Sequence, residues 1–218
     1  RKAPRPVVTA PIAPRSPATT FTRKPAEVLA IGASTGGVHA LASLFAAMPR
    51  QCHVPVVITQ HLPAAIIPYF ARQIRTASGC ETLLAEDDMP LRPGCVLIAP
   101  GDAHMAFRRH DDRLVVRLDR TPAPSGCLPS LDTMFASLAE HAGDRTLGMV
   151  LSGMGRDGVL GAARLVAAGG TILAQDEASS AVWGMPRAVA EAGLTSAVLP
   201  PEQLAQRVIA AIGAPPCK

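Results

Sequence analysis

Aromatic residues are almost missing from this chain of 218 residues: one Trp, one Tyr and five Phe make up 3% of it. Single-stranded nucleic acids are held on aromatic stacking platforms beside a basic groove. The basic groove is lacking as well. The formal net charge of +4 comes from 21 Lys+Arg against 17 Asp+Glu, but Arg1, Lys2, Arg5, Arg15, Arg23 and Lys24 stand in a segment with no acid, which leaves 15 basic against 17 acidic residues over 25–218. The body is therefore weakly acidic, and nucleic-acid binding is excluded as its main task. Cysteine is sparse. The five at 52, 80, 95, 127 and 217 form neither a CxxC pair nor a Cys/His ladder, which argues against a disulfide framework and a structural zinc site and for a reducing cytoplasm. No apolar run approaches the roughly 20 residues of a membrane span, so direct membrane insertion is not expected. The basic start runs into prolines rather than a signal-like hydrophobic core.

What the sequence does have is apolar matter: 48% hydrophobic residues with 17% charged, enough for one core of ordinary domain size. Residues 1–24 carry Pro4, Pro6, Pro11, Pro14 and Pro17 among Thr, Ala, Arg and Lys and read as an extended linker; 25–213 read as the folded domain and 214–218 as a tail. From Glu27 onward, short continuous apolar runs alternate with helical stretches, as in strands covered on both faces. Strands are expected at 28–32, 54–60, 81–85, 95–99, 147–152, 171–174 and 197–199, and helices at 38–48, 64–77, 130–141, 158–168, 186–192 and 202–212. Residues 105–107 and 114–118 suit a local antiparallel hairpin. The fold class is α/β: a doubly wound, mainly parallel sheet with helices on both faces.

Ligands of such sheets gather at the carboxyl ends of strands, and three strand ends carry chemistry. Gly32-Ala33-Ser34-Thr35-Gly36-Gly37 lacks the glycine of a dinucleotide fingerprint and the Gly-Lys-Ser/Thr of a P-loop, and matches Gly-x-Ser-x-Gly, which presents a serine hydroxyl on a tight strand-to-helix turn. The plainer reading is that Ser34 caps the helix. At Thr59-Gln60-His61-Leu62-Pro63 an imidazole faces the same crevice if the first two strands are neighbours, and suits the exchange of a serine proton. A loop histidine bonding local backbone is the alternative, and His104 is the serious competitor for the base. Ser152-Gly153-Met154-Gly155-Arg156-Asp157-Gly158 offers glycine-freed amides for an oxyanion and an acid to orient His61; otherwise Asp157 caps its own helix and Met154 only packs. Ser34, His61 and Asp157 together make a serine-hydrolase constellation in an order that differs from that of the α/β-hydrolases.

These stretches, with Ile98-Ala99-Pro100-Gly101-Asp102-x-His104-Met105, Pro129-Ser130-Leu131-Asp132, Gln175-Asp176-Glu177-Ala178-Ser179 and Gly184-Met185-Pro186-Arg187, resemble the catalytic domain of the bacterial chemotaxis protein-glutamate methylesterases from about residue 27 to about 212. The resemblance implies Ser34 as nucleophile, His61 as base, Asp157 as orienting acid, the Met154 amide at the oxyanion and Thr35 beside the nucleophile. It implies hydrolysis of glutamyl γ-methyl esters on the cytoplasmic helices of chemoreceptors with release of methanol, deamidation of receptor glutamines, and no metal or organic cofactor. It also implies a phosphorylatable receiver domain before residue 1 in the natural chain. Ser152 and Trp183 replace the family's more usual threonine and smaller aromatic, and are expected to touch substrate fit rather than chemistry. Asp102, Asp132 and Asp176 are expected to hold loops. A serine esterase acting on a non-receptor ester, or a non-catalytic nucleotide-binding module, are the other readings of these residues.

Overall fold

A computed structural model describes residues 25–213 except Gln51; the expected linker at 1–24 and tail at 214–218 lie outside the described residues. Seven parallel strands form one sheet: β1 (Val28–Ala33), β2 (Val56–Gln60), β3 (Glu81–Leu84), β4 (Cys95–Ile98), β7 (Thr146–Val150), β8 (Thr171–Gln175) and β9 (Ala197–Leu199). Their order is β3-β4-β2-β1-β7-β8-β9, and β5 (His104–His110) pairs with β6 (Arg113–Asp119) as a separate antiparallel hairpin. The α/β reading holds, hairpin included.

The central strands are buried along their whole length, which is why their sequences run apolar on both faces rather than alternating. One face packs α1 (Gly37–Ala46), α2 (Ile67–Ser78) and α6 (Pro201–Ile212) through Leu41, Leu44, Phe70, Ile74, Leu204 and Val208 onto Leu29, Ile31, Val56 and Ile58. The other packs α3 (Leu131–His141), α4 (Val159–Ala167), α5 (Met185–Glu191) and the hairpin through Phe107, Met134, Phe135, Leu138 and Leu165 onto Ala30, Val57, Val150 and Ile172. Even-numbered and odd-numbered residues of β1 thus serve opposite cores, as the two-residue period of a strand requires.

From β1 the chain passes to β2 on one side, while β7 lies on the other. The sheet's direction of winding therefore reverses between β1 and β7, and loops leave this point on opposite sides and open a crevice at the carboxyl edge. The first strand ends at Ala33, the second at Gln60 and the seventh at Val150. Ser34 and His61 are the first residues beyond β1 and β2, and the segment from Ser152 to Gly158 follows one residue after β7.

Candidate active site

Register brings the first two segments together. Ala33 is paired with Gln60, and the His61 N–H donates to the Ala33 carbonyl at 3.0 Å, so the next residues, Ser34 and His61, stand side by side at the sheet edge. On the other flank the Ser34 N–H donates to the Ser152 carbonyl (2.9 Å), and the Ser34 carbonyl accepts from the Gly37 N–H (2.9 Å) and from Gln60 Nε2 (2.8 Å). Three backbone or amide contacts thus hold the half-buried Ser34 by its main chain, while its hydroxyl has no bonded partner among the described residues. The helix cap is a bare glycine with no side-chain bond: Ser34 does not cap α1.

The turn after Ser34 depends on Gly36. Its φ is +82°, and a Cβ there would lie 2.6 Å from Ser152 Oγ and 2.5 Å from the Ala181 side chain, so both the left-handed backbone and the close approach call for glycine. Gly153 faces Ser34 from β7's side: a Cβ would meet Ser34 Cβ at 2.8 Å and Met185 Sδ at 2.5 Å. Ser152 is wholly buried, and its hydroxyl donates to the Thr35 carbonyl (2.7 Å) and accepts from the Val182 N–H (3.0 Å). Its N–H donates to Gln175 Oε1, and the Trp183 indole N–H donates to the Gln175 carbonyl. Ser152 therefore braces the Ser34 turn against the 175–183 loop from within, a position from which it acts on the site only through that turn. Thr35 is exposed beside Ser34, and Met154 is 73% exposed, so Met154 is not a packing residue. The Met154 N–H has no acceptor among the described residues.

Asp157 meets His61 directly: Nε2 and Oδ2 are 2.8 Å apart, across 96 residues of sequence. The carboxylate also accepts from the Leu131 N–H on Oδ2 (2.6 Å) and from the Ser130 hydroxyl on Oδ1 (2.7 Å), with the Asp132 N–H at 3.4 Å. Asp157 is thus seated at the N-terminus of α3, where unpaired N–H groups and the helix dipole favour an anion; the start of its own helix α4 is capped by Gly158 without a side-chain bond. Burial pushes the carboxyl toward its neutral form, but the His61, Leu131 and Ser130 donors outweigh it and bring the pKa down from 3.8 to about 2. It is an anion throughout the neutral range.

With Nε2 bonded to Asp157, Nδ1 is the His61 ring nitrogen left for a second partner. In the chymotrypsin arrangement the acid holds Nδ1; here it holds Nε2.

His104 is buried and fully engaged. Its Nδ1 accepts from the Ser130 N–H (2.8 Å), so the proton sits on Nε2, which donates to the Thr121 carbonyl (2.9 Å). Neither nitrogen is left for a substrate. The histidine instead steadies Ser130, whose hydroxyl steadies Asp157. Ala replacement of His104 is expected to destabilise the fold by about 2–3 kcal/mol, since it orphans a buried N–H, and to slow turnover about tenfold through looser seating of Asp157; urea melts and ester turnover check both. Complete loss of turnover there, with activity kept by His61→Ala, would make His104 the base instead. Asp132 and Asp176 hold loops as expected: Asp132 Oδ1 accepts from the Gly161 N–H at 2.7 Å, joining α3 to α4, and Asp176 accepts from Ser179. Asp102 forms an exposed ion pair with Arg120 at 3.6 Å, a contact of little energetic consequence. Sequence reasoning left Ser130 and Gln60 without tasks; a serine ahead of a helix and a buried glutamine ahead of His61 were the available signals.

Residues 29–208 match the family described as CheB methylesterase. Among relatives, a protein-glutamate methylesterase/protein-glutamine glutaminase of Maricaulis maris is 49% identical over 173 residues, covering 79% of this chain and 43% of the relative. One of the same name from Paramagnetospirillum magneticum is 45% identical, covering 84% of this chain and 49% of the relative. The chain spans about half the length of the curated relatives it matches. The crystal structure of the Thermotoga maritima CheB methylesterase catalytic domain superposes with a TM-score of 0.81 at 31% identity, covering 84% of this chain and 97% of that one. Agreement in motif order, in strand-end geometry and over nearly the whole folded part leads to one assignment: the chain belongs to the CheB methylesterase family.

Proposed function

We propose that the chain is the catalytic part of a protein-glutamate methylesterase that acts on methylated chemoreceptor helices and, by the same chemistry, deamidates receptor glutamines. The observation that carries this is the His61–Asp157 pair, 2.8 Å apart at a strand end next to Ser34. Ser34 Oγ attacks the γ-carbonyl carbon while His61 Nδ1 takes the hydroxyl proton. The charged imidazole is stabilised by the Asp157 carboxylate, and the Met154 N–H, with Thr35 beside it, serves the oxyanion. His61 returns the proton to the departing methoxide, which leaves as methanol. Water then gives its proton to His61, attacks the acyl-serine and releases the glutamate side chain and the free serine hydroxyl. With a glutamine side chain the leaving group is ammonia. None of these steps calls on a metal or an organic cofactor.

Support for a protein substrate comes from the relatives' names, which give protein glutamate and protein glutamine as what they act on, and from an apolar rim: Met154 and Leu128 are exposed at 73% and 48% near the site, as suits docking of a protein rather than a small polar ester. A receiver domain ahead of residue 1 and action in the cytoplasm complete the proposal. No helix among the described residues is long and apolar enough to cross a membrane.

The test is methanol release from membranes carrying methylated chemoreceptors, run beside hydrolysis of a small aryl acetate. Receptor demethylation is the expected outcome. Hydrolysis of the acetate with receptor methyl groups untouched would transfer the reading to an esterase of another substrate.

A further inference from the structure

The loop between β6 and α3 carries one group for which the proposed reaction has no task. Cys127 is a free, half-buried thiol whose N–H donates to Ser125 Oγ at 3.3 Å. Its Sγ, a ring nitrogen of His61 and a carboxylate oxygen of Asp157 all lie within 4.8 Å of one another. Among the described residues no other group of three His, Cys, Asp or Glu side chains brings its donor atoms so close.

Thiolate, imidazole and carboxylate are the donors zinc takes, with bonds of about 2.0–2.3 Å, and in a tetrahedral site their donor atoms stand about 3.5 Å apart. The His61–Asp157 pair, at 2.8 Å, has only to open slightly, and the thiol to close by about an ångström. Charge favours the same outcome. One thiolate and one carboxylate neutralise a 2+ ion while the imidazole stays neutral, and the soft sulfur donor selects zinc over magnesium or calcium. On binding, the Cys127 S–H gives its proton to solvent, a Zn–S bond forms and a zinc-bound water departs. A remaining water completes the coordination.

We propose that Cys127, His61 and Asp157 form a latent zinc site, and that its occupancy silences the esterase by taking both the base and the acid that orients it. The silencing rests on the function proposed above; the binding does not. The experiment titrates the full chain with Zn2+ while following methanol release from methylated receptors, and separately with Co2+ while following the near-ultraviolet thiolate-to-cobalt band. Cys127→Ala, which removes a partly exposed small side chain, is run in parallel with both.

The expected result is inhibition that a chelator reverses, a cobalt band in the parent chain, and in Cys127→Ala unchanged basal release, no band and a zinc midpoint raised about tenfold or more. The same zinc midpoint in both chains, or no cobalt band in the parent, overturns the site. A cobalt band that depends on Cys127, in a chain that never releases methanol, keeps the site and sinks the esterase reading instead.

Discussion

Ser34→Ala is expected to lower methanol release from methylated receptors by roughly 10⁴–10⁶-fold, the scale seen when a serine-hydrolase nucleophile is removed. The fold should hardly notice. The hydroxyl has no bonded partner among the described residues, whereas the anchoring of this turn runs through the Ser34 N–H and carbonyl, which alanine keeps. A stability change within about 0.5 kcal/mol is therefore expected, read as an unchanged circular-dichroism spectrum and melting midpoint. Near-normal methanol release by this variant would remove Ser34 from the reaction.

Asp157→Asn is the second large effect, and it separates chemistry from packing less cleanly. The carboxylate accepts from His61, the Ser130 hydroxyl and the Leu131 N–H. Asparagine has one acceptor oxygen, so in either orientation its NH2 group faces a donor. If the oxygen stays with Ser130, the NH2 donates to His61 Nε2 and moves the imidazole proton to Nδ1, the nitrogen that has to accept from the serine. Turnover should then fall about 10⁴-fold, as for the corresponding change in chymotrypsin-like enzymes, while the unpaired buried donors cost about 1–3 kcal/mol.

The variant also changes acid stability in a defined direction. The Asp157 pKa is lowered from 3.8 to about 2 in the fold, so the unfolded chain takes up this proton at higher pH than the folded one. The stability that results is complete above the ordinary carboxylate pKa and is lost as the pH falls through about 2. Urea midpoints measured between pH 6 and pH 2 should therefore fall less steeply for Asp157→Asn than for the parent. Parallel slopes would show that Asp157 is not held as an anion by its partners.

How much of this was legible in the sequence follows from the range of each interaction. The strand β1 (Val28–Ala33) and the helices α3 (Leu131–His141) and α6 (Pro201–Ile212) were readable to within a residue because they rest on local apolar runs and periodicity. Ends were less so: the strand expected to reach Ser152 stops at Val150, and the helix expected over 38–48 runs from Gly37 to Ala46, since a boundary depends on where partner strands and caps run out. The candidate triad was visible because each member stands at a strand end, where a doubly wound sheet gathers ligands.

The contacts that hold the triad were not visible. Ser130 reaches Asp157 across 27 residues and His104 reaches Ser130 across 26, and a serine before a helix reads first as that helix's own cap. Asp157 was equally plausible as the cap of α4, and the structure seats it at α3 instead.

By itself, then, the sequence determined a doubly wound α/β fold and a serine, a histidine and an aspartate at three strand ends, because hydrophobic period and strand-terminal residue type are local properties of a chain. Tertiary structure alone decided which imidazole nitrogen meets the acid, which helix terminus holds that acid, that His104 is a strut, and that Cys127 stands within 4.8 Å of His61 and Asp157. Hydrogen bonds and metal coordination act over about 2–3 Å, and distances of that size between residues far apart in the chain are set only when the sheet is assembled.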